Sequence, residues 1–589
     1  MNKTVISMFC ETAHKYPENI CLKYRENKYT YRETSYKSDI LAGFLLEKGI
    51  KKGDFIGIYL GKSEFLIFSI LAIMKIGAIY VPLSQNYPTG RIQHIINDAE
   101  VRFILTDDRK NEKIDNLNNV EFINTEKFFK NEKTYSIEPV NLCVDDIAYL
   151  FYTSGSSGQP KGVLIHQAGF YNRILWQKNY FAMGQEEVCL LKAPIGFDIS
   201  LWEIFLPIVS GAVLVIAEDE GYKDFSYLIA LMERERVSVL QFVPSLLNIF
   251  MMKIKNMPMN SLVIKKVVSS GEELTAKYIN NFLKIFKDCK LYNFYGPTET
   301  TICVTAKEYT SQHTYENVSL GKPIDNVNIY LLDNEKNIIE EDGIQGEIYI
   351  SGTCVGKGYL NLLRESKESF LQNHIDSYPL LYRTGDMAKY IDGELVFIGR
   401  NDSTIKIDGN RVDLGEINSQ ISILPFIENA VVKMVDKGYG KQSIAVFYKL
   451  AEVPNIEEEK AISLITEHLK KNLVDYMIPQ IYIKKDSFEL TDNGKIDISK
   501  LNINLKTNIQ KSYGKFNTIY NLFVKYTNNN DENMNFFEAG GSSIEALILI
   551  EKINQEYNVN LSITDLYGRM TVTKIIEIVK NKIEEENIC

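Results

Sequence analysis

Short β-branched runs alternate with helical patterns from the start of the chain to about residue 400. The runs Phe55–Tyr59, Val101–Leu105 and Val213–Ile216 are apolar enough for buried strands, and Tyr227–Arg236 has a helical pattern. Strands that alternate with helices favour βαβ units, whose parallel strands form sheets covered by helices. The alternation therefore predicts a large α/β region with parallel sheets.

The pattern changes after residue 400, and the chain of 589 residues is too long for one hydrophobic core. Within Ile398–Ile417, two strand-like runs are joined by Asp-Gly, a hairpin signal that opens a smaller α+β unit. From Phe516 to Glu586 the pattern is helix, Gly-Gly loop, helix, short turn and helix, which predicts an all-α bundle. The predicted regions are an α/β core over 1–400, an α+β subdomain over 401–500, a linker over 501–513 and a four-helix domain over 514–589.

Composition excludes several classes of function. The chain is 45% hydrophobic and 24% charged, which is ordinary for a folded protein. Its net charge of −10, with the basic residues spread along the chain, argues against a nucleic-acid partner. The run Phe65–Leu83 is broken by Lys75 and Gly77, so a buried helix and a strand are expected there and not a membrane span. The eight cysteines are scattered, and no signal peptide is evident, so we expect a reduced, cytoplasmic protein.

One loop, YTSGSSGQPKG from Tyr152 to Gly162, has the composition of an anion-binding segment. Apolar strand-like runs lie on both sides of it, Ile147–Tyr152 and Gly162–His166. A Walker-type P-loop opens a helix, so it does not fit between two strands. Two interpretations remain open from these residues alone: a hairpin whose amides, hydroxyls and Lys161 surround an anion, or a polar surface turn.

The same loop resembles the phosphate-binding loop of the adenylate-forming superfamily. Further segments resemble motifs of that superfamily in the same order along the chain: NFYGPTETT (293–301), YRTGD (382–386), IGRND (398–402) and LTDNGKID (490–497). FDISLWEIF (197–205) resembles an adenylation-domain segment of nonribosomal peptide synthetases, and NFFEAGGSSIEALILI (535–550) resembles the attachment site of a peptidyl carrier protein. The resemblance implies an adenylation core, its small C-terminal subdomain and a four-helix carrier domain.

The resemblance implies roles in holding ATP and Mg²⁺. Tyr295 would lie on the adenine with Asn293 at its edge, Asp386 would bind the ribose hydroxyls, and Glu299 would serve Mg²⁺. Asp402 would be the hinge between core and subdomain. The implied nucleotide-binding set is Thr153, Ser154, Gly155, Ser156, Ser157, Gly158, Lys161, Gly271, Glu272, Asn293, Tyr295, Gly296, Thr298, Asp386 and Arg400.

Two lysines are the implied catalytic residues. Lys161 would neutralise the departing pyrophosphate, and Lys495 would stabilise negative charge as the substrate carboxylate attacks the α-phosphorus. Without the upstream motifs, a solvated lysine in an Asn-Gly turn would be the simpler interpretation of Lys495.

By the same resemblance, Asp198 would pair with the α-ammonium of an amino acid, and Lys495 would meet its carboxylate. Trp202 and Phe294 are large and should shorten the pocket, which favours a small substrate. Serine is the first expectation, followed by threonine, cysteine, alanine and glycine. The implied pocket walls are Ile199, Trp202, Gln241, Val268, Ser270, Phe294, Ile302 and Cys303.

In the carrier region, Ser543 matches the serine that receives 4′-phosphopantetheine. Ser542 and Glu545 have the spacing of a capping box, so Ser542 would cap the helix that Ser543 begins. The segment therefore has a structural interpretation, a helix N-cap, that is compatible with the functional one.

The resemblance implies a ligase that forms aminoacyl-AMP from ATP and an α-amino acid and then loads its own carrier as a thioester. Implied partners are a phosphopantetheinyl transferase and downstream condensation, tailoring or release enzymes in trans, and a small helper protein stays open. The sequence shows neither a condensation His-His-x-x-x-Asp-Gly nor a thioesterase G-x-S-x-G. The alternatives are an acyl- or aryl-CoA ligase, which has no ammonium for Asp198 to meet, and an inactive carrier scaffold.

Overall fold

The structure is a computed structural model, and it describes most but not all of the chain. The described residues are 4–108, 119–130, 135, 140–155, 159–219, 221, 224–255, 262–401, 404–407, 410–438, 441–451, 456–489, 500–501, 516–527, 529, 531–537, 539–541, 543–566 and 570–586. They fall into two compact units, one of 1–154, 160–247 and 258–402, the other of 155–159, 248–257 and 403–589. In the described ranges, no helix is long and apolar enough to cross a membrane.

The first unit alternates strands and helices, as the sequence predicts. Its strands are β1 (Ile20–Tyr24), β2 (Asn27–Thr30), β3 (Phe55–Tyr59), β4 (Ile79–Pro82), β5 (Phe103–Thr106), β6 (Glu121–Asn124), β7 (Ile147–Thr153), β8 (Lys161–His166), β9 (Val188–Leu191), β10 (Val213–Ile216), β11 (Val239–Phe242), β12 (Lys266–Ser269), β13 (Lys290–Tyr295), β14 (Thr305–Tyr309), β15 (Lys322–Pro323), β16 (Val327–Leu332), β17 (Gln345–Gly352), β18 (Gly358–Tyr359), β19 (Phe370–Gln372), β20 (Leu380–Ile391) and β21 (Glu394–Arg400).

The helices between these strands cover the sheets. They are α1 (Val5–Lys15), α2 (Tyr31–Glu47), α3 (Glu64–Lys75), α4 (Thr89–Asp98), α5 (Thr125–Lys130), α6 (Gln167–Tyr180), α7 (Ile199–Ile208), α8 (Phe225–Glu235), α9 (Pro244–Ile254), whose last residues fall in the second unit, α10 (Ala276–Ile285) and α11 (Leu363–Ser369).

Local chemistry explains where several of these elements begin. Helix α2 starts with a capping box, because Thr30 accepts a hydrogen bond from the Glu33 amide at 3.1 Å while Glu33 accepts one from the Thr30 amide at 2.8 Å. Helix α3 is buried on nearly all sides, and β4 follows it, so the run Phe65–Leu83 is a core helix and strand as predicted.

In two sheets of the first unit, the central strands pair in parallel. One has the order β15-β14-β13-β12-β11-β9-β10-β1-β2, with parallel pairing from β13 to β1. The other has the order β18-β8-β7-β4-β3-β5-β6, with parallel pairing from β7 to β6. A continuous cluster of buried apolar side chains packs against both sheets. The predicted α/β core with parallel sheets is therefore confirmed.

A third sheet is antiparallel and carries part of the candidate site. Its order is β16-β17-β20-β19, and β21 pairs with β20. The register of β20 and β21 places Asp386 opposite Arg400. Two residues that are 14 apart in the sequence are thereby brought side by side on neighbouring strands.

The second unit contains the α+β subdomain and the helical domain. Strands β22 (Thr404–Ile407) and β23 (Asn410–Asp413) pair as the predicted hairpin, whose Asp-Gly turn lies outside the described residues. The other subdomain elements are α12 (Leu414–Ser422), β24 (Ile427–Gly438), β25 (Lys441–Leu450), α13 (Glu458–Asn472) and β26 (Ile481–Lys484). Leu501, at the predicted start of the linker, packs into a small core with Val431 and Phe447.

The described part of the helical domain consists of α14 (Asn517–Thr527), α15 (Ser543–Tyr557), α16 (Ile563–Leu566) and α17 (Val572–Glu586). They enclose a core of their own, in which Phe523, Ile553 and Val579 are fully buried. The predicted all-α carrier architecture of four helices is therefore confirmed. The domain boundaries given above stay predictions.

Candidate active site

The loop YTSGSSGQPKG joins two antiparallel strands, which confirms the prediction of a strand–strand loop. Thr153 ends β7 and pairs with Lys161, which begins β8. The start of the loop is anchored because Arg91 Nη2 donates to the Tyr152 carbonyl at 3.2 Å and Tyr152 Oη donates to Asp98 at 2.7 Å. Ser156, Ser157 and Gly158 lie outside the described residues.

The hydroxyl of Thr153 is the described feature of this loop that points to a ligand. Its Oγ1 is buried and has no hydrogen-bond partner in the described part of the chain. Leaving a buried hydroxyl unpaired costs about 1–3 kcal/mol, so an acceptor that enters the loop would offset that cost. A phosphate oxygen is such an acceptor.

Lys161 is linked to Glu299 through a tyrosine that the motifs did not mark. The Lys161 ammonium lies 5.4 Å from the centre of the Tyr359 ring, and Tyr359 Oη donates to Glu299 Oε1 at 2.9 Å. Glu299 is only 1% exposed, in a short 3₁₀ segment at Thr298–Thr300. The predicted phosphate lysine and the predicted magnesium ligand are thus held around one aromatic ring.

Tyr295, Asp386 and Arg400 form one buried network. Tyr295 Oη donates to Asp386 Oδ2 at 2.6 Å, and Arg400 Nη1 forms an ion pair with Asp386 Oδ1. Arg400 Nη2 donates to the Thr384 carbonyl at 2.9 Å. Burial, reinforced by the Asp386 carboxylate, raises the pKa of Tyr295, so its hydroxyl stays a donor. A carboxylate has about four acceptor positions, so Asp386 keeps capacity for further donors such as hydroxyls.

The remaining nucleotide candidates mostly shape the backbone around this network. Asn293 Nδ2 donates to the Ser319 carbonyl at 2.9 Å. Glu272 accepts from the Ser245 amide and hydroxyl, both at 2.8 Å, and so holds the first turn of α9. Gly296 packs against backbone, because a Cβ there would collide with Cys303. In this structure Glu272 thus positions a helix, and its assignment to the nucleotide stays a prediction.

The predicted pocket walls come from the carboxyl ends of adjacent parallel strands and the start of one helix. In an open α/β sheet, ligands bind at that edge. Gln241 on β11 is in register with Val268 on β12, and β13, which carries Phe294, lies next to β12. Ile199 and Trp202 belong to the first turn of α7. The buried walls are Trp202, Gln241, Val268, Ser270, Phe294, Ile302 and Cys303.

Ile302 has a strained backbone, with φ of 71°, and its neighbour Thr301 has φ of 62°. A β-branched residue in the left-handed region is an outlier that costs about 1–3 kcal/mol. Thr301 Oγ1 donates to the Cys354 carbonyl at 2.6 Å and so helps to hold the strained turn. Such strain often occurs at ligand sites, and here it sets the position of two pocket walls, Ile302 and Cys303.

Asp198 stands at the start of α7, and its Oδ2 is buried without a hydrogen-bond partner in the described ranges. Burial raises its pKa to about 6, although a hydrogen bond from Thr298, the Ile199 amide and the charge of Arg173 work in the opposite direction. A carboxylate that is not fully paired in a buried site is expected to bind a cation. An α-ammonium group satisfies this requirement.

Several candidates cannot be placed from the structure. Lys495 and Asp402 lie outside the described residues, as does Ser542. Ser543 begins α15, two residues after Gly541. Gly541 packs against the ring of Phe536 so closely that a Cβ would collide with it, and Gly540 has φ of +94°. The two glycines therefore allow the chain to turn sharply into α15.

The structure also places polar residues at the pocket that the motifs did not indicate. Arg173 is fully buried on α6, and Lys192 is 4% exposed just after β9. Glu203, also buried, accepts hydrogen bonds from the Lys192 and Ala193 amides at 3.0 and 2.8 Å. The spacing of Arg173 and Gln177 on the apolar face of α6 was the available sequence signal, since charged residues rarely occupy such a face.

Comparison with known families decides between the possible interpretations of this site. Residues 9–360 match the AMP-binding enzyme family, and residues 517–579 match the phosphopantetheine attachment site family. The first match covers more than half of the chain. The chain belongs to the AMP-binding enzyme family. Because this AMP-binding enzyme also carries a phosphopantetheine attachment site, the predicted resemblance to an adenylation domain with a carrier domain is confirmed.

The relatives of this AMP-binding enzyme include large synthetases. Gramicidin S synthase 2 of Brevibacillus brevis is 32% identical over 614 residues, which cover 100% of this chain and 13% of the synthase. Tyrocidine synthase 3 of Brevibacillus parabrevis is 31% identical over 581 residues, which cover 97% of this chain and 9% of the synthase. The chain thus spans about a tenth of the length of these relatives.

A solved structure shares the fold. Holo-PA1221, described as an NRPS protein containing adenylation and PCP domains bound to a vinylsulfonamide inhibitor, superposes with a TM-score of 0.83. The match covers 98% of this chain and 97% of that one, at 22% sequence identity. At this identity the likeness concerns the fold, and it agrees with the elements described above.

An AMP-binding enzyme uses ATP with Mg²⁺, and the phosphopantetheine attachment site carries that group covalently. The described residues fit the nucleotide and the metal. Thr153 supplies a buried, unpaired hydroxyl at the phosphate loop, and Glu299 supplies the hard carboxylate oxygen that Mg²⁺ prefers. Lys161 lies next to Glu299 across the Tyr359 ring and adds positive charge for the phosphates.

Proposed function

We propose that this AMP-binding enzyme activates a small α-amino acid as aminoacyl-AMP and transfers the aminoacyl group to its own carrier domain. The observation that carries the proposal is Asp198, whose buried and unpaired Oδ2 lies beside the predicted pocket walls. An acid-specific ligase whose substrate lacks an amino group would leave that carboxylate without a partner, at considerable cost. The two synthetases named above support the same reaction class.

In the first step, a substrate carboxylate oxygen attacks the α-phosphorus of ATP, the bond to the β-phosphate oxygen breaks, and pyrophosphate leaves with the electron pair. We propose that Lys161 and the loop hydroxyls neutralise the leaving group. Glu299 would hold Mg²⁺, whose charge lowers the cost of bringing anions together. Lys495 would stabilise the attacking oxygen. No change in oxidation state occurs.

The nucleotide would be oriented by the buried network around Asp386. Tyr295 would present its ring to the adenine, while its hydroxyl is held by Asp386. Arg400 balances the charge of Asp386, and the carboxylate would accept hydrogen bonds from the ribose hydroxyls. Asn293 would complete the adenine side of the site, Thr298 would belong to the nucleotide-binding set, and Asp402 would serve as the hinge.

In the second step, a thiol on the carrier attacks the aminoacyl carbonyl, AMP leaves, and a thioester results. We propose Ser543 as the attachment point, because it begins α15 just after the Gly540-Gly541 turn. The required partner is a phosphopantetheinyl transferase, and downstream condensation, tailoring or release enzymes would receive the thioester. The proposed boundaries are core 1–400, subdomain 401–500, linker 501–513 and carrier 514–589.

Two assays test this proposal. The first is ATP–pyrophosphate exchange over a panel of amino acids, and of aryl and fatty acids that lack an amino group. The second is intact mass after treatment with a phosphopantetheinyl transferase and coenzyme A, on the parent chain, Ser543→Ala and Ser542→Ala. We expect amino-acid-dependent exchange, and a mass gain that Ser543→Ala abolishes and Ser542→Ala retains.

Contrary results have distinct meanings. Exchange only with acids that lack an amino group would favour the acyl- or aryl-CoA ligase alternative. No exchange with any acid, together with a normal mass gain, would favour an inactive carrier scaffold. A mass gain that survives Ser543→Ala would refute the attachment site.

A further inference from the structure

Two buried cations lie next to predicted pocket walls, Arg173 beside Phe294 and Lys192 beside Gln241, and neither was among the predicted wall residues. Arg173 is fully buried, and Lys192 is 4% exposed. In the described part of the chain neither forms an ion pair with a carboxylate, whereas the buried Lys75 pairs with Asp39 at 2.6 Å. Buried charges are usually paired or strongly hydrogen-bonded, so these two require an explanation.

Lys192 fixes the orientation of a pocket amide. Its Nζ lies 3.4 Å from Gln241 Oε1 and 4.3 Å from the centre of the Phe242 ring. An ammonium group only donates hydrogen bonds, so the oxygen of the amide must face it. Gln241 Nε2 is consequently the free end of the amide, and it is buried without a partner in the described residues. Burial lowers the pKa of Lys192, and the Glu203 carboxylate opposes that shift.

Arg173 adds further buried donors beside other pocket residues. Its Nη1 donates to Gln177 Oε1 at 2.8 Å, and its guanidinium lies 5.2 Å from the centre of the Trp176 ring and 5.4 Å from that of Phe294. Nε and Nη2 are buried and have no partner in the described ranges. Burial raises the pKa of the pocket residue Cys303 to about 11, and the charge of Arg173 and a hydrogen bond from it oppose that rise. Arg173 therefore lies beside two pocket walls.

The unpaired polar groups that the structure describes in this region include more hydrogen-bond donors than acceptors. Gln241 Nε2 and the Arg173 nitrogens only donate, while the buried, unpaired Ser270 Oγ can donate or accept. Asp198 Oδ2 and Glu203 Oε1 are buried acceptors of the region without a partner in the described residues. The proposed function assigns Asp198 to the α-ammonium, and Glu203 is compensated by the charge of Lys192 and by the Lys192 and Ala193 amides. A bound side chain with an acceptor would satisfy the donors, whereas an apolar one would leave them unpaired.

We propose that Lys192 and Arg173 make the inner part of the amino-acid pocket a hydrogen-bond donor site, so that the substrate is an amino acid whose side chain carries an acceptor oxygen. Lys192 acts as a positioning residue through Gln241, and Arg173 acts directly as a specificity-determining residue. This inference rests on the proposed function and narrows its substrate class. It favours serine, threonine and other oxygen-bearing side chains over alanine and glycine.

The test compares amino acids of similar shape that differ in the acceptor: serine with alanine, threonine with valine, and asparagine with leucine. The readout is the ratio of kcat/KM values in ATP–pyrophosphate exchange. A lost hydrogen bond to a buried donor lowers kcat/KM about 10-fold to 100-fold. In the parent chain, we expect kcat/KM for the oxygen-bearing member of the preferred pair to exceed that for the apolar member by this factor.

Three variants assign the preference to the named residues: Lys192→Met, Gln241→Leu and Arg173→Met. Each should reduce the ratio about 10-fold, mainly through KM of the oxygen-bearing member. The matched control is Lys75→Met, which removes a buried lysine outside the site and should keep the parent ratio. Because a ratio is unaffected by the fraction of folded enzyme, a destabilised variant still gives a result.

If kcat/KM for the apolar amino acid equals or exceeds that for the oxygen-bearing one in every pair, this inference is overturned. The proposed amino-acid activation is then unaffected. The same holds if all three variants keep the parent ratio. Absence of exchange with every amino acid would instead refute the proposed function, and this inference with it.

Discussion

The ion pair between Asp386 and Arg400 has large expected consequences for stability. The side chain of Asp386 is 4% exposed and that of Arg400 is 10% exposed, so water screens the pair little. Arg400→Met would leave a buried carboxylate with the Tyr295 hydroxyl as its main partner. Asp386→Leu would leave a buried guanidinium bonded chiefly to the Thr384 carbonyl. Each change creates an uncompensated buried charge.

The expected magnitude follows from this burial. Removing one partner of a buried pair costs about 3–5 kcal/mol. Removing both replaces the pair by apolar side chains, which is often nearly neutral in comparison. The double variant should therefore be less destabilised than the sum of the single variants, with a coupling free energy of at least about 2 kcal/mol.

Tryptophan fluorescence during urea denaturation measures this quantity. Both tryptophans of the chain, Trp176 and Trp202, are buried in the first unit, so their signal reports on that unit. The matched control is Arg364 and Glu368, an exposed pair with side chains 87% and 61% exposed, whose removal should have no measurable effect. Additive effects of the two site variants would refute the reasoning.

Three further predictions concern catalysis and packing. Burial raises the pKa of Asp198 to about 6, so its carboxylate ionises as the pH rises through that value. The value of kcat/KM for the amino acid should therefore rise tenfold per pH unit below about pH 6 and level off above it. A flat profile between about pH 5 and pH 7 would contradict this prediction. Lys495→Ala should lower the exchange rate by about 10²- to 10³-fold and Lys161→Ala should lower it less, and equal losses would overturn that ranking. Gly296→Ala should destabilise the first unit by about 1–3 kcal/mol in the fluorescence assay because its Cβ would meet backbone, whereas Gly399→Ala, whose Cβ meets no described atom within 4 Å, is the control.

Much of the fold follows from local patterns in the sequence. The strands Phe55–Tyr59 and Val213–Ile216 have the predicted bounds, and the predicted helix Tyr227–Arg236 lies within two residues of α8. The strand expected at Val101–Leu105 is shifted to Phe103–Thr106. Periodicity and β-branched content are short-range signals, so they locate elements well but fix their ends only to within a few residues.

Other features depend on distant pairings and could not be predicted. The strand order of the two large sheets and the antiparallel third sheet follow from which apolar faces meet in the folded chain. The motifs indicated Glu299 and Lys161, but not Tyr359, which joins them from 60 and 198 residues farther along the chain. The roles of Lys192 and Arg173 likewise could not be predicted, because their contacts with Gln241 and Phe294 form only in the folded chain.

The proposed roles of Lys495 and Asp402 rest on sequence motifs, since both lie outside the described residues. The assignment of Ser543 rests on its position at the start of α15 and on the family match over residues 517–579. These residues therefore gain most from direct mutagenesis.

The central claim is that one chain activates an amino acid and loads it onto its own carrier. The most direct measurement is intact mass of the phosphopantetheinylated chain after incubation with ATP, Mg²⁺ and the amino acid that gives the strongest exchange. We expect a further mass increase equal to that amino acid less water, absent without ATP and absent in Ser543→Ala and Asp198→Asn. A phosphopantetheinylated chain that supports exchange but never gains this mass, with any amino acid of the panel, would contradict the account.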